Sequence, residues 1–377
     1  MYFTNFLSIL QLTGCASAAS VVGTAYGFAK GVMPTGTTVT PTNNAQLSSF
    51  LADSTPRVIV LTKTFDFSTA TTTGAACRAT NKCSGGQDTI KESCDPNETR
   101  ITATYNPEAT SGLTVASNKA IIGSGSSGTI KGKGLRIASG SKNVIVQNIR
   151  ITTLNPEYVW GGDGISVEGA DGVWIDHVTF DNIGRMFIVS HYTANRITAS
   201  YNYYNGATSY SNSCDGQQYW GTMFVGEGDK VTIDHNYYYK MSGRSPKLGM
   251  KGFDTYFHAT NNYFLTSSGH SFDIVANTYA LLEGNAFSSA KTPITTDSTS
   301  SGAYIFDSPS SSLSTCSSYL SRSCVVNSVS NSGTLPSMTN TAALSKLSGS
   351  YKTYLITPES ASSAITNVMS KAGQGKV

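Results

Sequence analysis

The sequence predicts an all-β protein built as a parallel β-helix, a solenoid in which each coil of the chain stacks on the previous one. The first observation is composition, because 36 glycines and 20 tyrosines, with long serine and threonine stretches, are typical of strands and turns. The second is a repeated pattern of short alternating segments in the centre of the chain. The third is the near absence of helical periodicity between those segments.

The repeated pattern is a short alternating β segment, then an Asn or His, then a second apolar or aromatic β segment. It occurs six times, in "NVIVQNIRI" (143–151), "GVWIDHVTF" (172–180), "RITASYNYY" (196–204), "KVTIDHNYYY" (230–239), "TYFHATNNYF" (255–264) and "TYALLEGNAF" (278–287). Intervals of 29, 25, 34, 26 and 23 residues separate the polar marks Asn148, His177, Asn202, Asn236, Asn262 and Asn285. Such irregular spacing fits solenoid coils with loops of different length. We expect the Asn residues to adopt left-handed geometry at corners and to hydrogen-bond from coil to coil.

Two other all-β architectures fit the pattern less well. Propeller blades need about 40 to 50 residues each. Sandwich strands would show tight hairpin turns every 8 to 12 residues. The chain of 377 residues is long enough for one large core or for two ordinary domains.

The ends of the chain depart from the repeat and predict short peripheral helices. Residues 44–52, "NAQLSSFLA", predict a helix that caps the first coil before the strand "RVIVLTKTF". Thr357 and Pro358 predict the N-cap and first position of a second helix that runs to about Lys371. The serine-rich stretch 296–335 lacks periodicity, and no element is predicted there.

The first nineteen residues predict a secretory signal peptide, followed by a single domain over residues 20–377. An apolar run leads to small residues at 16–18, and it is too short to span a membrane. If Cys15 leaves with the signal, six cysteines remain, and an even number in a secreted protein indicates disulfides. Zinc is the alternative, but no C-x2-C spacing is present. We therefore expect an extracellular protein without a membrane partner.

The charge balance argues against nucleic-acid binding. Formal net charge is +3 and charged residues make up 13% of the chain, so no basic stripe is indicated. The partner is expected to be neutral or only partly acidic. Asn97, in the triplet Asn97-Glu98-Thr99, is a candidate glycosylation site.

Other motifs have ordinary structural interpretations. "GSGSSG" at 123–128 matches G-x-G-x-x-G, but a β segment follows where a dinucleotide site needs a helix, so we predict a turn between coils. The five histidines form no metal-ligand spacing. His177 and His235 each follow an Ile-Asp pair, which indicates polar places in the stack rather than catalysis. A serine hydrolase would also need a G-x-S-x-G elbow, which the sequence lacks.

Three stretches place chemistry-bearing side chains near strand ends. In "VWGGDGISV" (159–167), Asp163 follows two glycines beside Trp160, a combination suited to a sugar site. Arg185 begins an apolar strand in "NIGRMFIV". In "YYKMSGRSPKLG" (238–249) a proline forbids a helix interior, so Arg244 and Lys247 should project from the end of an extended segment. Stacked coils bring Asp163, Arg185 and Arg244 to one face if the register permits, with Tyr219 and Trp220 of "GQQYWGTMF" between the last two.

Through these motifs the sequence resembles the pectin lyases, close relatives of the pectate lyases in the first polysaccharide lyase family. The resemblance covers most of residues 20–290. It runs through "AYGFAKGV", "IKGKGLRI", "VWGGDGISV", "VWIDHVTF", "IGRMFIV", "QYWG", "VTIDHNYYYKMSGRSPK" and "LLEGNAF". It implies a right-handed parallel β-helix with a cleft on one face.

The resemblance also implies residue roles. Arg244 matches the proton-abstracting arginine of the family, and Lys247 matches the lysine near it. Asp163 and Arg185 match the acid and the arginine that stand where calcium-dependent relatives build their metal site. The matching cleft aromatics are Trp160, Tyr219 and Trp220. The implied disulfides are Cys77 with Cys94, Cys83 with Cys214, and Cys316 with Cys324.

Calcium separates the two branches of the family. Related pectate lyases carry a D-x-D and an E-x3-D, and here these positions read Gly161-Gly162-Asp163 and residues 219–223. One carboxylate beside an arginine is a poor calcium cage, because Ca²⁺ takes 6 to 8 oxygen ligands. The sequence therefore predicts no metal and no other cofactor.

The resemblance, with the missing calcium ligands, implies a secreted, endo-acting, monomeric pectin lyase that cleaves methyl-esterified homogalacturonan at its α-1,4 bonds by β-elimination. The product would carry a 4,5-unsaturated galacturonate end. Two alternatives stay open. One is a calcium-dependent pectate lyase acting on unesterified chains. The other is a catalytically inactive polysaccharide-binding β-helix, because the chain lacks some tryptophans expected in the family's cleft.

Overall fold

The computed structural model describes residues 20–138 and 140–377, and their strands wind into a parallel β-helix, as predicted. The predicted signal peptide, residues 1–19, lies outside the described residues. In the two described ranges no helix has the length and apolar character needed to cross a bilayer.

Each full coil contributes one strand to each of three sheets, and neighbouring coils pair in parallel. One coil, for example, runs through Ile165–Glu168, Asp171–Asp176 and Thr179–Ile183 before the next begins at Ile188–His191. We call these the third, first and second sheets, in that order. The first sheet has ten strands: Thr37–Val39, Arg57–Leu61, Lys119–Gly123, Lys142–Gln147, Asp171–Asp176, Arg196–Ser200, Lys230–Asp234, Thr255–Thr260, Thr278–Glu283 and Tyr304–Phe306.

The second and third sheets are joined because the long strand Tyr263–Ile274 pairs in both of them. The other strands of the second sheet are Thr64–Asp66, Thr129–Lys131, Arg150–Leu154, Thr179–Ile183, Tyr203–Asn205, Tyr237–Tyr239, Ala286–Ile294 and Ser328–Ser330. The other strands of the third sheet are Leu113–Thr114, Leu135–Ala138, Ile165–Glu168, Ile188–His191, Thr222–Phe224 and Lys247–Leu248.

A small fourth sheet lies outside the coils. Thr72–Ala79 pairs antiparallel with Asp88–Ile90 and with Glu98–Tyr105, and Tyr158–Val159 joins it in parallel. The three disulfides implied by the resemblance are all present, with Cα–Cα distances of 5.5 to 5.9 Å: Cys77–Cys94, Cys83–Cys214 and Cys316–Cys324. Cys83–Cys214 ties the loops near this sheet to the chain that enters the third sheet at Thr222–Phe224.

The corner between the first and second sheets carries the predicted asparagine ladder. Asn202 Nδ2 donates to Asn236 Oδ1 at 3.0 Å, and Asn236 donates to Asn262 in the same way at 2.9 Å. Asn285 continues the ladder and donates to Asn327 at 2.9 Å, a rung that the pattern did not predict. All five side chains are buried. Each coil is therefore bonded to the next through side chains as well as backbone.

The first two predicted ladder positions, Asn148 and His177, are wrong by one residue. Asn148 and His177 have φ angles of 58° and 52°, and they align with Tyr201 and His235, which also have positive φ. The left-handed residue thus precedes the ladder asparagine by one position, so Asn202 and its successors do not turn the corner themselves. His177, Tyr201 and His235 stack there with ring centroids 4.9 and 4.6 Å apart, which confirms the prediction that both histidines belong to the stack.

The glycine-rich segment 123–128 is a turn between strands of the first and second sheets, as predicted. Gly123 ends its strand under the next coil, and a Cβ there would lie 2.0 Å from the carbonyl oxygen of Asn148. The glycine is therefore required by the close approach of two coils.

The helix predicted at 44–52 is present as Asn44–Ala52, with Leu47 and Leu51 packed into the core. The C-terminal helix ends at Lys371 as predicted, but it spans Ala361–Lys371 and begins three residues later than Pro358. The start shifts because the Glu359 N–H donates to Asn261 at the ladder corner and Ser360 is the N-cap.

The serine-rich stretch has regular elements that periodicity did not reveal. It contains helices Thr296–Ser300 and Leu313–Leu320 and strands Tyr304–Phe306 and Ser328–Ser330. Cys316 is buried among apolar side chains that these short elements place together. The remaining helical elements are Gly27–Ala29, Pro107–Thr110, Ser310–Ser312, Thr341–Ser350 and Lys352–Tyr354.

Candidate active site

The outer face of the third sheet forms the floor of an open cleft. Successive side chains of a strand alternate between faces, so every second residue points away from the core. Ile165, Ile188 and Leu248 point inward and are fully buried. Their outward neighbours stand in one register line across six coils: Arg136, Ser166, Val189, Met223, Lys247 and Asp273.

Asp163, Arg185 and Trp160 lie together at one part of this cleft, as the sequence predicted. Arg185 Nη1 donates to Asp163 Oδ2 at 2.8 Å, and the Met186 N–H donates to Asp163 Oδ1 at 2.9 Å. The Arg185 guanidinium lies 3.9 Å from the centre of the Trp160 ring, and 53% of Trp160 is exposed. Burial raises the pKa of Asp163, and the charge of Arg185 opposes that rise.

A cavity of about 290 Å³ opens beside this group and includes residues that sequence reasoning missed. Arg136 pairs with Glu168 at 2.5 Å, and Ser166 Oγ lies 3.1 Å from His191 Nε2. Burial lowers the pKa of His191, while the charge of Glu168 opposes this. All four of these residues lie on strands whose alternation has a period of two. That alternation identifies the positions that point outward, but it does not identify which of them line a site.

Arg244 lies with Tyr219 and Trp220, also as predicted. Its guanidinium is 4.8 Å from the centre of the Trp220 ring and 5.8 Å from that of Tyr219. Arg244 Nη1 lies 3.8 Å from the sulfur of Met223 on the cleft floor. The backbone of Arg244 is left-handed, with φ of 41°, and its N–H donates to His270 Nε2 at 3.0 Å.

The electrostatic setting of Arg244 differs from that of the other cleft cations. Across the two described ranges, no salt bridge includes it. Burial lowers the pKa of Arg244; Tyr219 and Asp273 oppose the shift, and the positive charge of Arg185 adds to it.

Lys247 lies next to Arg244 in sequence but has its own counter-ion. Lys247 Nζ is 2.6 Å from Asp273 Oδ2, and the two residues are register partners on adjacent coils. Sequence reasoning missed Asp273, because the partner of Lys247 is set by the length of the intervening loop. Burial is the main cause of the lowered pKa of Arg244, and Arg185 is a cation that adds to it.

Trp220 is held by a residue distant in sequence. Its Nε1 donates to Gln87 Oε1 at 2.9 Å, and Gln87 Nε2 donates in turn to the carbonyl of Gly184 at 2.9 Å. The Cys83–Cys214 disulfide joins the two loops that carry Gln87 and Trp220. No local motif marks Gln87, since the contact is made across 133 residues.

The carboxylates of the cleft do not fit a calcium cage. Both oxygens of Asp163 accept hydrogen bonds from protein donors, and the Arg185 guanidinium stands beside them. Glu168 accepts from Arg136 and Ser166. In the part of the chain that the structure describes, the sole group of three or more potential ligands is Cys77, Cys94 and Glu98, outside the cleft and containing a disulfide. Paired oxygens and an adjacent cation are the wrong donor set for Ca²⁺.

Aromatic rings beside arginines on one outer face of a parallel β-helix offer a surface suited to stacking a sugar chain. The pectate lyase family model matches residues 4–377. Pectin lyase B of Emericella nidulans is 47% identical over 98% of both chains, and the probable pectin lyase A of Aspergillus fumigatus is 47% identical over 99% of this chain and all of its own. The chain therefore belongs to the pectate lyase family, and the predicted lyase class is confirmed.

Solved structures agree on the fold. A pectate lyase from Bacillus sp. N165, solved in complex with trigalacturonate, superposes with a TM-score of 0.61 at 18% identity, covering 93% of this chain and 99% of its own. A pectate lyase bound to a hexasaccharide gives 0.58 at 19% identity, covering 96% of this chain and 99% of its own. At these identities the likeness confirms the parallel β-helix.

Proposed function

We propose that the chain is a secreted, endo-acting pectin lyase that cleaves α-1,4 bonds of methyl-esterified homogalacturonan without calcium. The names of the full-length relatives support the substrate class. The observation that carries the calcium-independent form is the ion pair of Asp163 with Arg185, which fills the place where a metal would need free carboxylates.

The substrate explains why a metal is not needed. In β-elimination a base removes the C5 proton, the C4–O4 bond breaks, a C4=C5 double bond forms, and O4 leaves with a proton from water. A free carboxylate at C6 resists this step because a second negative charge must develop, so it needs a metal clamp. A methyl ester is neutral and makes the α-proton more acidic. The uncharged Met223 beside Arg244 suits such a group.

Arg244 is the proposed base. Arginine has a reference pKa above 12, so it needs an environment that disfavours its charged form. In the cleft, burial and the charge of Arg185 lower the pKa of Arg244, and substrate binding removes further water. The competing role is stabilisation of the enolate alone, with water or hydroxide as base.

The two cations that form ion pairs with aspartates stabilise the enolate. Arg185 and Lys247 stabilise the negative charge that develops on the ester carbonyl, each held in place by its aspartate, Asp163 or Asp273. The proposed sugar platforms are Trp160, Tyr219 and Trp220.

One assay separates this function from its alternatives. The ultraviolet absorbance of the unsaturated product is followed on highly esterified pectin and on polygalacturonate, each with and without EDTA. We expect product from esterified pectin and no effect of EDTA. Cleavage of polygalacturonate that EDTA abolishes would indicate a pectate lyase, and absence of product on both substrates would indicate an inactive binding protein.

The remaining features of the proposal concern the mature protein. Residues 1–19 are removed on secretion, residues 20–377 act as a monomeric single domain, and Asn97 carries a glycan. Asn97 is exposed in a turn, which makes it accessible to modification. Mass spectrometry of the secreted protein before and after glycosidase treatment, with N97Q as control, tests cleavage and glycan together, and light scattering tests the monomer.

A further inference from the structure

The backbone of Arg244 is held in a strained conformation by a side chain from the next coil. Its φ of 41° is left-handed, which costs a residue with a Cβ about 1 to 2 kcal/mol. The N–H of Arg244 donates to His270 Nε2 at 3.0 Å. The following residue, Ser245, donates its N–H to the carbonyl of Ser271 at 3.2 Å. The segment of Arg244 is thus attached to that of His270 by two adjacent bonds.

The bond fixes the chemical form of the imidazole. A nitrogen that accepts a hydrogen bond carries no proton, so His270 must be neutral with its proton on Nδ1. A protonated ring would present an N–H to the N–H of Arg244, and the bond would be lost.

We propose that His270 is a positioning residue for Arg244 that works only as a neutral imidazole. Protonation of Arg244 itself lowers kcat gradually as the pH drops, and protonation of His270 adds a second, steeper fall at lower pH, which is the acid limb. This inference rests on the proposed function and deepens it, because His270 touches the backbone of the proposed base rather than the substrate. Its effect is expected in kcat, since misplacing Arg244 by even a small distance impairs proton transfer.

The groups around His270 fit this role. Asp273 faces it from the same strand, Lys247 and Arg244 face it from the adjacent coil, and the Tyr219 ring lies edge-on at 5.9 Å. Burial lowers the pKa of His270; Asp273 opposes this, and the two cations add to the lowering. The ring therefore stays neutral to a lower pH than a free histidine, and activity falls as the pH drops through that lowered value.

The test compares three variants of the full chain on highly esterified pectin. H270Q places an acceptor oxygen near the position of Nε2 without a titrating proton, and H270L removes the acceptor. H177Q is the control, because His177 lies in the stack at the opposite corner. We expect H270L to lower kcat about 10- to 100-fold, the range for one lost hydrogen bond to a buried donor, with KM changed less than about threefold.

The pH profile distinguishes positioning from a merely structural role. H270Q should keep kcat within about tenfold of wild type and should lose the acid limb or move it by about one pH unit or more, whereas H177Q should keep the wild-type limb. The imidazole signal that disappears from the NMR spectrum of H270Q should titrate in the wild type at the pH of the limb, below the ordinary histidine value.

Each outcome decides between the ideas. An active wild type whose acid limb persists unchanged in H270Q overturns the role of His270 and leaves the proposed function standing. A wild type that forms no unsaturated product overturns the proposed function and this inference with it. The melting temperatures of H270L and H270Q are compared with that of wild type. A variant that melts as wild type does is folded, so its change in kcat reports the position of Arg244.

Discussion

Two faces of the same coil treat polar groups in opposite ways. At the ladder corner, each buried asparagine is bonded to the next coil, as Asn236 is to Asn202 and Asn262. In the cleft, Arg244 is half buried beside aromatic rings without a carboxylate partner in the described ranges, and Arg185 lies between these extremes because Asp163 balances its charge. Stability and chemistry therefore depend on separate faces of the coil. A substitution at the ladder should change the free energy of unfolding, and a substitution of Arg244 should change kcat.

The largest effect is expected on the cleft face, from Arg244→Ala. Loss of the base should lower kcat on esterified pectin about 10²- to 10⁴-fold, the usual contribution of a general base. Because Arg244 has no salt bridge in the described part of the chain, the urea midpoint should change little. An R244A protein that unfolds at much lower urea would show that the two faces are not separated.

The ladder gives the converse prediction. Asn236→Ala removes a side chain that accepts from Asn202 and donates to Asn262 and to the carbonyl of Ala199. Unpaired buried groups should then lower the free energy of unfolding by about 3 kcal/mol, as measured by urea denaturation. At a temperature where the variant is folded, kcat should equal that of wild type. Asn81→Ala, an exposed turn substitution, is the control and should change neither quantity.

Arg185→Leu should affect both properties, because it removes a cation near Arg244 and exposes the charge of Asp163. We expect kcat/KM to fall about 10-fold or more and unfolding free energy to fall by about 1 to 3 kcal/mol.

The stability loss in R185L has a pH signature. Burial already raises the pKa of Asp163, and removal of Arg185 raises it further. A carboxyl whose folded pKa is raised favours folding less as pH rises, so the loss of unfolding free energy should be greater at neutral than at acid pH.

The control for the kinetic effect is Arg150→Leu, which breaks a matched pair with Asp181 on the second sheet and should leave kcat unchanged. Equal kinetic effects of the two variants would contradict the role given to Arg185.

The smallest effect is expected from Gln87→Leu, which removes the hydrogen bond to Trp220. One lost bond of about 0.5 to 1.5 kcal/mol should raise KM about 2- to 10-fold with little change in kcat. Trp220→Phe removes the same bond from its other end. The increase in KM of the double variant should therefore be smaller than the two single increases combined. Additive effects would indicate that the two side chains act independently.

The repeated part of the fold is predictable because every coil repeats the same constraints. The strands and the rungs from Asn202 to Asn285 follow from alternation and from polar marks at each corner. The phase error at Asn148 and His177 arose because a left-handed corner and a ladder rung are adjacent, and both accept Asn. The late start of the C-terminal helix is set by a contact of Glu359 with the ladder, which local capping rules do not include.

The cleft was predictable in part. Resemblance supplied Asp163, Arg185 and Arg244, and the structure brings their segments to one face. It did not supply Gln87, His270 or Asp273, since their contacts depend on the register between coils joined by loops of unequal length. No periodicity in the sequence fixes that register.

The most direct test of the base assignment is the pH dependence of kcat in Arg244→Lys, with uncatalysed elimination subtracted. Lysine keeps a positive charge but has a reference pKa about 2 to 3 units below that of arginine. If residue 244 is the base, the variant should be slower, and its rate should level off at lower pH than that of wild type. Retained activity with the wild-type profile would contradict the assignment and leave Arg244 as a stabiliser of the enolate.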